Sequence, residues 1–185
     1  MPQRCSWVTD SKLYEDYHDN EWGEPVYDDE TLFEFLILET FQAGLSWITI
    51  LNKRENFRKA FNNFDYQKIA TYPESKFQSL LIDTGIIRNK LKIRSAIHNA
   101  QVFMEVQQEF GSFSKFIWSF VNETPIHNKF EKCLEVPATT VLSDTISKDL
   151  KKRGFKFVGS KVIYAYLQAV GMVNDHKIDC FKYTK

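Results

Sequence analysis

Lys151-Lys152-Arg153-Gly154-Phe155-Lys156-Phe157-Val158-Gly159-Ser160 is the stretch from which the architecture is read. Ser143 is a residue type suited to capping a helix over 143–153, Gly154 stops it, and a second helix begins at Ser160 and runs to about Val170. Two helices joined by a glycine-bracketed turn form a compact hairpin over about 143–171. Such a turn presents backbone N–H groups and the positive end of a helix dipole, which suit a phosphate oxygen. The lysines beside it supply the sequence-independent charge that binding to DNA requires. The same residues also fit a plain helix-to-helix turn with a basic rim, so the mechanics of this stretch leave both readings open.

Working outward, the rest of the chain continues the helical pattern. Apolar spacing predicts helices over 28–41, 46–61, 65–70, 73–83, 88–110 and 112–121, with Pro73 at a favoured first-turn position. A shorter helix is expected over 13–18. Residues 122–142 contain Pro125 and Pro137 and little periodicity, and read as mostly irregular. Sustained alternation and Asn-Gly hairpin signals are missing, so the expected class is all-α. With 185 residues and no repeat or linker, one domain over 1–185 is expected, able to bury roughly 70 % of its unfolded surface.

Charge is unevenly spread. The formal net charge is zero, yet no Lys or Arg lies between Lys12 and Lys53, an interval rich in Asp and Glu. Basic residues gather at Arg88, Lys90, Lys92 and Arg94, and again from Lys148 to Lys161. A neutral total therefore leaves a polyanionic partner open. No apolar run approaches ~20 residues and no leader-like h-region is present, which argues against membrane spanning and export. Three cysteines fit reduced thiols in the cytoplasm better than a disulfide framework.

Two further groupings could carry chemistry. The first surrounds Glu39, which falls between Leu38 and Phe41 at the end of an apolar helix, where a solvated charge is not expected. The chain breaks at Gly44, with Leu45 as an apolar tip, and restarts at Ser46 and Trp47. Glu39 is either a carboxylate paired at a helix end or one reserved for a ligand. The second grouping comprises Cys5, His18, His176 and Cys180. Two thiolates and two imidazoles satisfy tetrahedral zinc with no position left for water, which would make the site structural. Cys5 could equally be an ordinary buried cysteine, and Cys133 stands outside the pattern.

The hairpin resembles that of the helix-hairpin-helix DNA glycosylases, whose hairpin amides grip a DNA phosphate, and Gly85-Ile86-Ile87-Arg88-Asn89-Lys90 is similar to the glycine-led helix start of that superfamily. Tyr17-His18-Asp19-Asn20-Glu21-Trp22-Gly23, Gln42-Ala43-Gly44-Leu45-Ser46-Trp47, Lys53-Arg54-Glu55-Asn56, Trp118-Ser119-Phe120-Val121-Asn122 and the 151–159 stretch together resemble the bacterial 3-methyladenine DNA glycosylase I family. The likeness runs from about Arg4 to Cys180. It implies a helix-hairpin-helix glycosylase-like fold whose chain ends are joined by one structural Zn(2+), held by Cys5, His18, His176 and Cys180.

The resemblance also implies that Glu39 receives the base while Tyr17 and Trp47 stack on it. Trp7, Tyr14 and Trp22 would wall the pocket, although ordinary core packing explains those three as well. Gln42, Gly44 and Leu45 would form a wedge that fills the space left by a flipped nucleotide. Lys156, Phe157, Gly159 and Ser160 would meet the DNA backbone. The expected substrate is double-stranded DNA carrying alkylated bases, and the expected product is 3-methyladenine with an abasic site left behind. Relatives in the superfamily place an aspartate beyond the second hairpin helix. Here Asn174-Asp175 comes earlier and beside His176, so Asp175 receives no base role, and no lysine nucleophile for a lyase step is identified. The expected enzyme is a cytoplasmic monomer. A non-catalytic DNA-binding module and a zinc hydrolase are the competing readings. The first is opposed by the presence of Glu39, Tyr17 and Trp47 together, the second by a fully ligated metal.

Overall fold

A computed structural model describes residues 3–9 and 11–183. Residues 1, 2, 10, 184 and 185, which belong to the expected 1–185 domain, lie outside the described set. Ten α-helices and one two-stranded sheet occur among the described residues. The order is α1 (Lys12–Asn20), α2 (Asp29–Gln42), α3 (Trp47–Leu51), α4 (Arg54–Ala60), α5 (Tyr66–Ile69), α6 (Glu74–Ile82), α7 (Lys90–Phe110), α8 (Phe113–Ser119), β1 (Ile126–His127), α9 (Val141–Arg153), α10 (Ser160–Ala169) and β2 (Val173–Asn174).

The central element is α2. Asp28 caps it by accepting from the Thr31 amide at 2.8 Å. From Leu32 to Phe41 every residue except Glu34 is buried. A helix that is apolar nearly all round needs neighbours on every side, and α3, α7, α8 and α10 supply them. Phe33 meets Phe103 of α7 edge-on, with ring centroids 5.0 Å apart. The Tyr166 hydroxyl of α10 donates to the Leu32 carbonyl at 3.2 Å. Those contacts leave the C-terminal end of α2, which carries Glu39, fixed in the middle of the molecule.

Over 141–169 two helices, α9 and α10, are joined by a short turn, and the cap of the first differs from the expected one. Thr140, not Ser143, caps α9; Ser143 closes a capping box, its hydroxyl accepting from the Thr140 amide at 2.8 Å while Thr140 Oγ1 accepts from the Ser143 amide at 3.2 Å. Gly154 ends α9 at φ +106, a left-handed conformation costly for a side chain. The turn is fastened to α7: Asn99 accepts from the Lys156 amide at 2.8 Å and donates to the Lys156 carbonyl at 3.0 Å.

Two other expectations need correction. The helix expected over 46–61 is two helices interrupted at Asn52 and Lys53. The break turns Arg54 inward, where it pairs with Glu34 and Glu21, both at 2.6 Å. Apolar spacing does not register this, because a two-residue interruption hardly disturbs the repeat. Residues 122–142 are mostly irregular, as expected, but they contain a strand that the all-α reading did not foresee. β1 pairs in parallel with β2, Ile126 opposite Val173 and His127 opposite Asn174. Two residues are too few for alternation to show in a sequence. The molecule is mostly helical, with this small parallel ladder added.

Candidate active site

Glu39 sits in the last turn but one of α2, 3 % exposed. Its Oε2 has no hydrogen-bond partner among the described residues. An orphaned Oε2 argues against a fully satisfied carboxylate paired at the helix end. Burial pushes its carboxyl up to about 8. Nearby, the Trp47 indole Nε1 is a second buried polar atom with no partner. Orphaned buried polar atoms are uncommon in native proteins. These two open into one cavity of about 370 Å³, a size that suits a purine.

All six residues expected around the base line this cavity: Trp7, Tyr14, Tyr17, Trp22, Glu39 and Trp47. The N-terminal segment contributes Trp7, α1 contributes Tyr14 and Tyr17, and α3 contributes Trp47. Tyr17 and Trp47 lie 5.4 Å apart at 49°, an open pair of aromatic faces. Trp7 packs edge-on against Tyr14 at 5.1 Å and Trp22 at 5.0 Å, forming the far wall. Burial, with Glu39 nearby, raises the Tyr17 phenol well above its ordinary value, so it remains a neutral hydroxyl.

Sequence reasoning missed the opposite wall, where Cys133, Val136, Ala165, Gln168 and Asp175 join the lining. Asp175 is held by three neutral donors: Tyr164 at 2.6 Å, Gln168 at 2.7 Å and Asn128 at 2.7 Å. These donors come from α10 and from the segment after β1, and no local spacing links them.

Gln42 reaches the cavity, but its amide nitrogen is committed to the Leu45 carbonyl at 2.9 Å. Gly44 stands at φ +83 with open space around it, and Leu45 is exposed at the rim. Lys156, Phe157, Gly159 and Ser160 are not among the residues that line the cavity. Phe157 is exposed at φ +59, and a Cβ on Gly159 would meet nothing within 4 Å. The Ser160 hydroxyl is engaged with that of Ser143 at 2.8 Å.

Cys5, His18, His176 and Cys180 come together, their ligand atoms all within 4.8 Å of one another and all four residues buried. Sulfur–nitrogen separations are 3.4 Å for Cys180 and His18, 3.5 Å for Cys180 and His176, and 3.7 Å for Cys5 and His176. A tetrahedral ion with ordinary zinc bond lengths has S···N edges of about 3.6 Å, so the spacing fits. The outer ring nitrogens are also fixed: His18 Nδ1 lies 2.7 Å from Asp19, and His176 Nε2 lies 3.0 Å from the Trp22 carbonyl. Arg4 in turn grips Asp19 at 2.7 Å. Burial pushes the Cys5 thiol up to about 12 and His176 down to about 4. A dication would reverse the first of these and use the neutral imidazole of the second. The group could hold a metal ion.

The methyladenine glycosylase family model matches residues 7–183. The chain belongs to this family. Among curated members, the DNA-3-methyladenine glycosylase 1 of Escherichia coli (strain K12) is 48 % identical over 181 residues, covering 98 % of this chain and 97 % of that protein. The DNA-3-methyladenine glycosylase of Haemophilus influenzae is 45 % identical over 180 residues, covering 97 % of each chain. A crystal structure of 3-methyladenine DNA glycosylase I superposes with a TM-score of 0.96 at 48 % identity, covering 98 % of this chain and all of that one. A Staphylococcus aureus glycosylase of the family, whose structure concerns recognition of 3-methyladenine, superposes at 0.94 with 36 % identity, covering 98 % of this chain and 97 % of that one.

Proposed function

We propose that this family member excises 3-methyladenine from alkylated double-stranded DNA by hydrolysing the N-glycosyl bond, leaving an abasic site, without a lyase step. The observation that carries the reading is the unpartnered Glu39 carboxyl inside an aromatic cavity. An adenine methylated at N3 while bonded to sugar at N9 is a cation. Tyr17 and Trp47 offer π faces to it, and Glu39 accepts from its exocyclic amine. Neutral adenine gains less from the same surroundings, so the cavity selects on charge.

The base leaves the stack to reach the cavity. Leu45, exposed on the 42–45 turn, fills the gap, with Gln42 and Gly44 shaping the wedge. Lys156, Phe157, Gly159 and Ser160 seat the DNA backbone at the start of α10. Because the leaving base already carries positive charge, bond cleavage needs little acid assistance. Binding of the extruded nucleotide in the pocket and enclosure away from water then supply much of the acceleration, while the preference for the cationic base serves selection. Zn(2+), one per chain, would be held by Cys5, His18, His176 and Cys180, where it would join the two chain ends and take no part in chemistry. The protein acts as a cytoplasmic monomer.

Incubation with methylated DNA and chromatography of the released bases tests the reading. Wild-type protein is expected to release 3-methyladenine and Glu39→Ala to release little. Full activity in that variant would remove Glu39 from its role, and absence of release by wild type would overturn the function.

A further inference from the structure

The 42–45 turn projects from the end of α2, where the last carbonyls of a helix lack partners within it. No basic residue of α2 itself lies in that turn. The cation comes from α7 instead: Lys92 reaches across and donates to the Phe41 carbonyl at 2.8 Å and the Ala43 carbonyl at 2.6 Å. Lys92 is 6 % exposed, and burial lowers its pKa. It also occupies the first turn of α7, where that helix's own dipole opposes a cation. Nothing within α7 favours a buried lysine at this position. Its two acceptors both belong to the end of α2 and the turn that follows.

We propose that Lys92 is a positioning residue that clamps the 42–45 turn against α7, holding Leu45 preformed as the wedge. The turn itself is tightened by the Leu45 amide donating to the Gln42 carbonyl at 2.7 Å and by Gln42 Nε2 returning to the Leu45 carbonyl at 2.9 Å. Gly44, with open space around it, would otherwise let the tip wander. The Asn89 cap of α7 donates nothing to the turn; its side chain accepts from the Leu91 and Lys92 amides and so sets the direction in which Lys92 leaves the helix. A rigid wedge lowers the entropy lost when the duplex is opened.

This role rests on the glycosylase reading, so the test separates the two. Lys92→Met keeps the stem and the helix propensity while removing the ammonium. Its single-turnover release of 3-methyladenine from methylated duplex is expected to fall roughly tenfold to a hundredfold. Release from methylated single strands, which have no paired stack to fill, and affinity for free 3-methyladenine are expected to stay within about twofold. Lys92→Arg is expected to restore most duplex activity. Equal losses in all three measurements, or none on duplex, would overturn the role. Amide exchange at Leu45 reads the clamp without reference to activity and is expected to quicken roughly tenfold or more in Lys92→Met. Unchanged exchange would likewise overturn the clamp, whereas a wild type that releases no 3-methyladenine refutes the glycosylase reading alone. Should Lys92→Met not fold, Lys92→Gln carries the same comparisons.

Discussion

Replacing Glu39 with glutamine should abolish most of the preference for a cationic purine and, with it, a pH dependence. Burial lifts the carboxyl from 4.5 to about 8, equivalent to on the order of 5 kcal/mol against ionisation in the empty cavity. At pH 7 ionising it costs about 1.4 kcal/mol. A cation about 4 Å away returns about 4 kcal/mol at an effective dielectric of about 20. Stacking on Tyr17 and Trp47 adds about 1 kcal/mol. The net preference for the cation is then about 3.6 kcal/mol, or roughly several hundredfold. It can be measured by tryptophan fluorescence with 3,9-dimethyladeninium, which has no glycosidic bond to break, against neutral 9-methyladenine. Wild-type affinity for the cation should rise nearly tenfold per pH unit between about pH 6 and 8 and then level off, because only ionised Glu39 pairs with it. Stability moves in the opposite sense. A carboxyl whose folded pKa lies above its unfolded value stabilises the fold fully below pH 4.5, and that contribution is lost as pH rises towards 8. Glu39→Gln should therefore gain on wild type in denaturant as the medium becomes alkaline. A variant that keeps a preference of roughly several hundredfold, or a wild-type preference flat from about pH 6 to 9, would refute the reasoning.

Two further outcomes follow from the geometry. Stripping the Cys5, His18, His176 and Cys180 site with a chelator should lower the thermal midpoint while the residual folded protein still excises base, because the donors lie behind the cavity and join the chain ends; metal analysis should give one zinc per chain, and an unchanged midpoint in metal-free protein would contradict a structural site. Gly171→Ala should destabilise by at least about 3 kcal/mol in urea titration, since Gly171 lies at φ +68 and a Cβ there would stand 2.2 Å from the Glu24 carbonyl carbon; an unshifted midpoint would show that the 24–25 backbone yields freely.

The helical class, the helix stop at Gly154 and the isolation of Glu39 in an apolar run were all legible in the residues alone, because each is a local preference written in neighbouring positions. The family resemblance, more than spacing, pointed to the two cysteines and two histidines that could hold a metal ion. Folding in three dimensions was needed to show that Glu39 Oε2 has no partner among the described residues and that Asp175 has three, that the break at Asn52 and Lys53 turns Arg54 towards Glu21 and Glu34, and that Lys92 spans from α7 to the end of α2. Whether a buried polar group is satisfied depends on atoms brought near it from distant parts of the chain, and no periodicity records where those atoms will be.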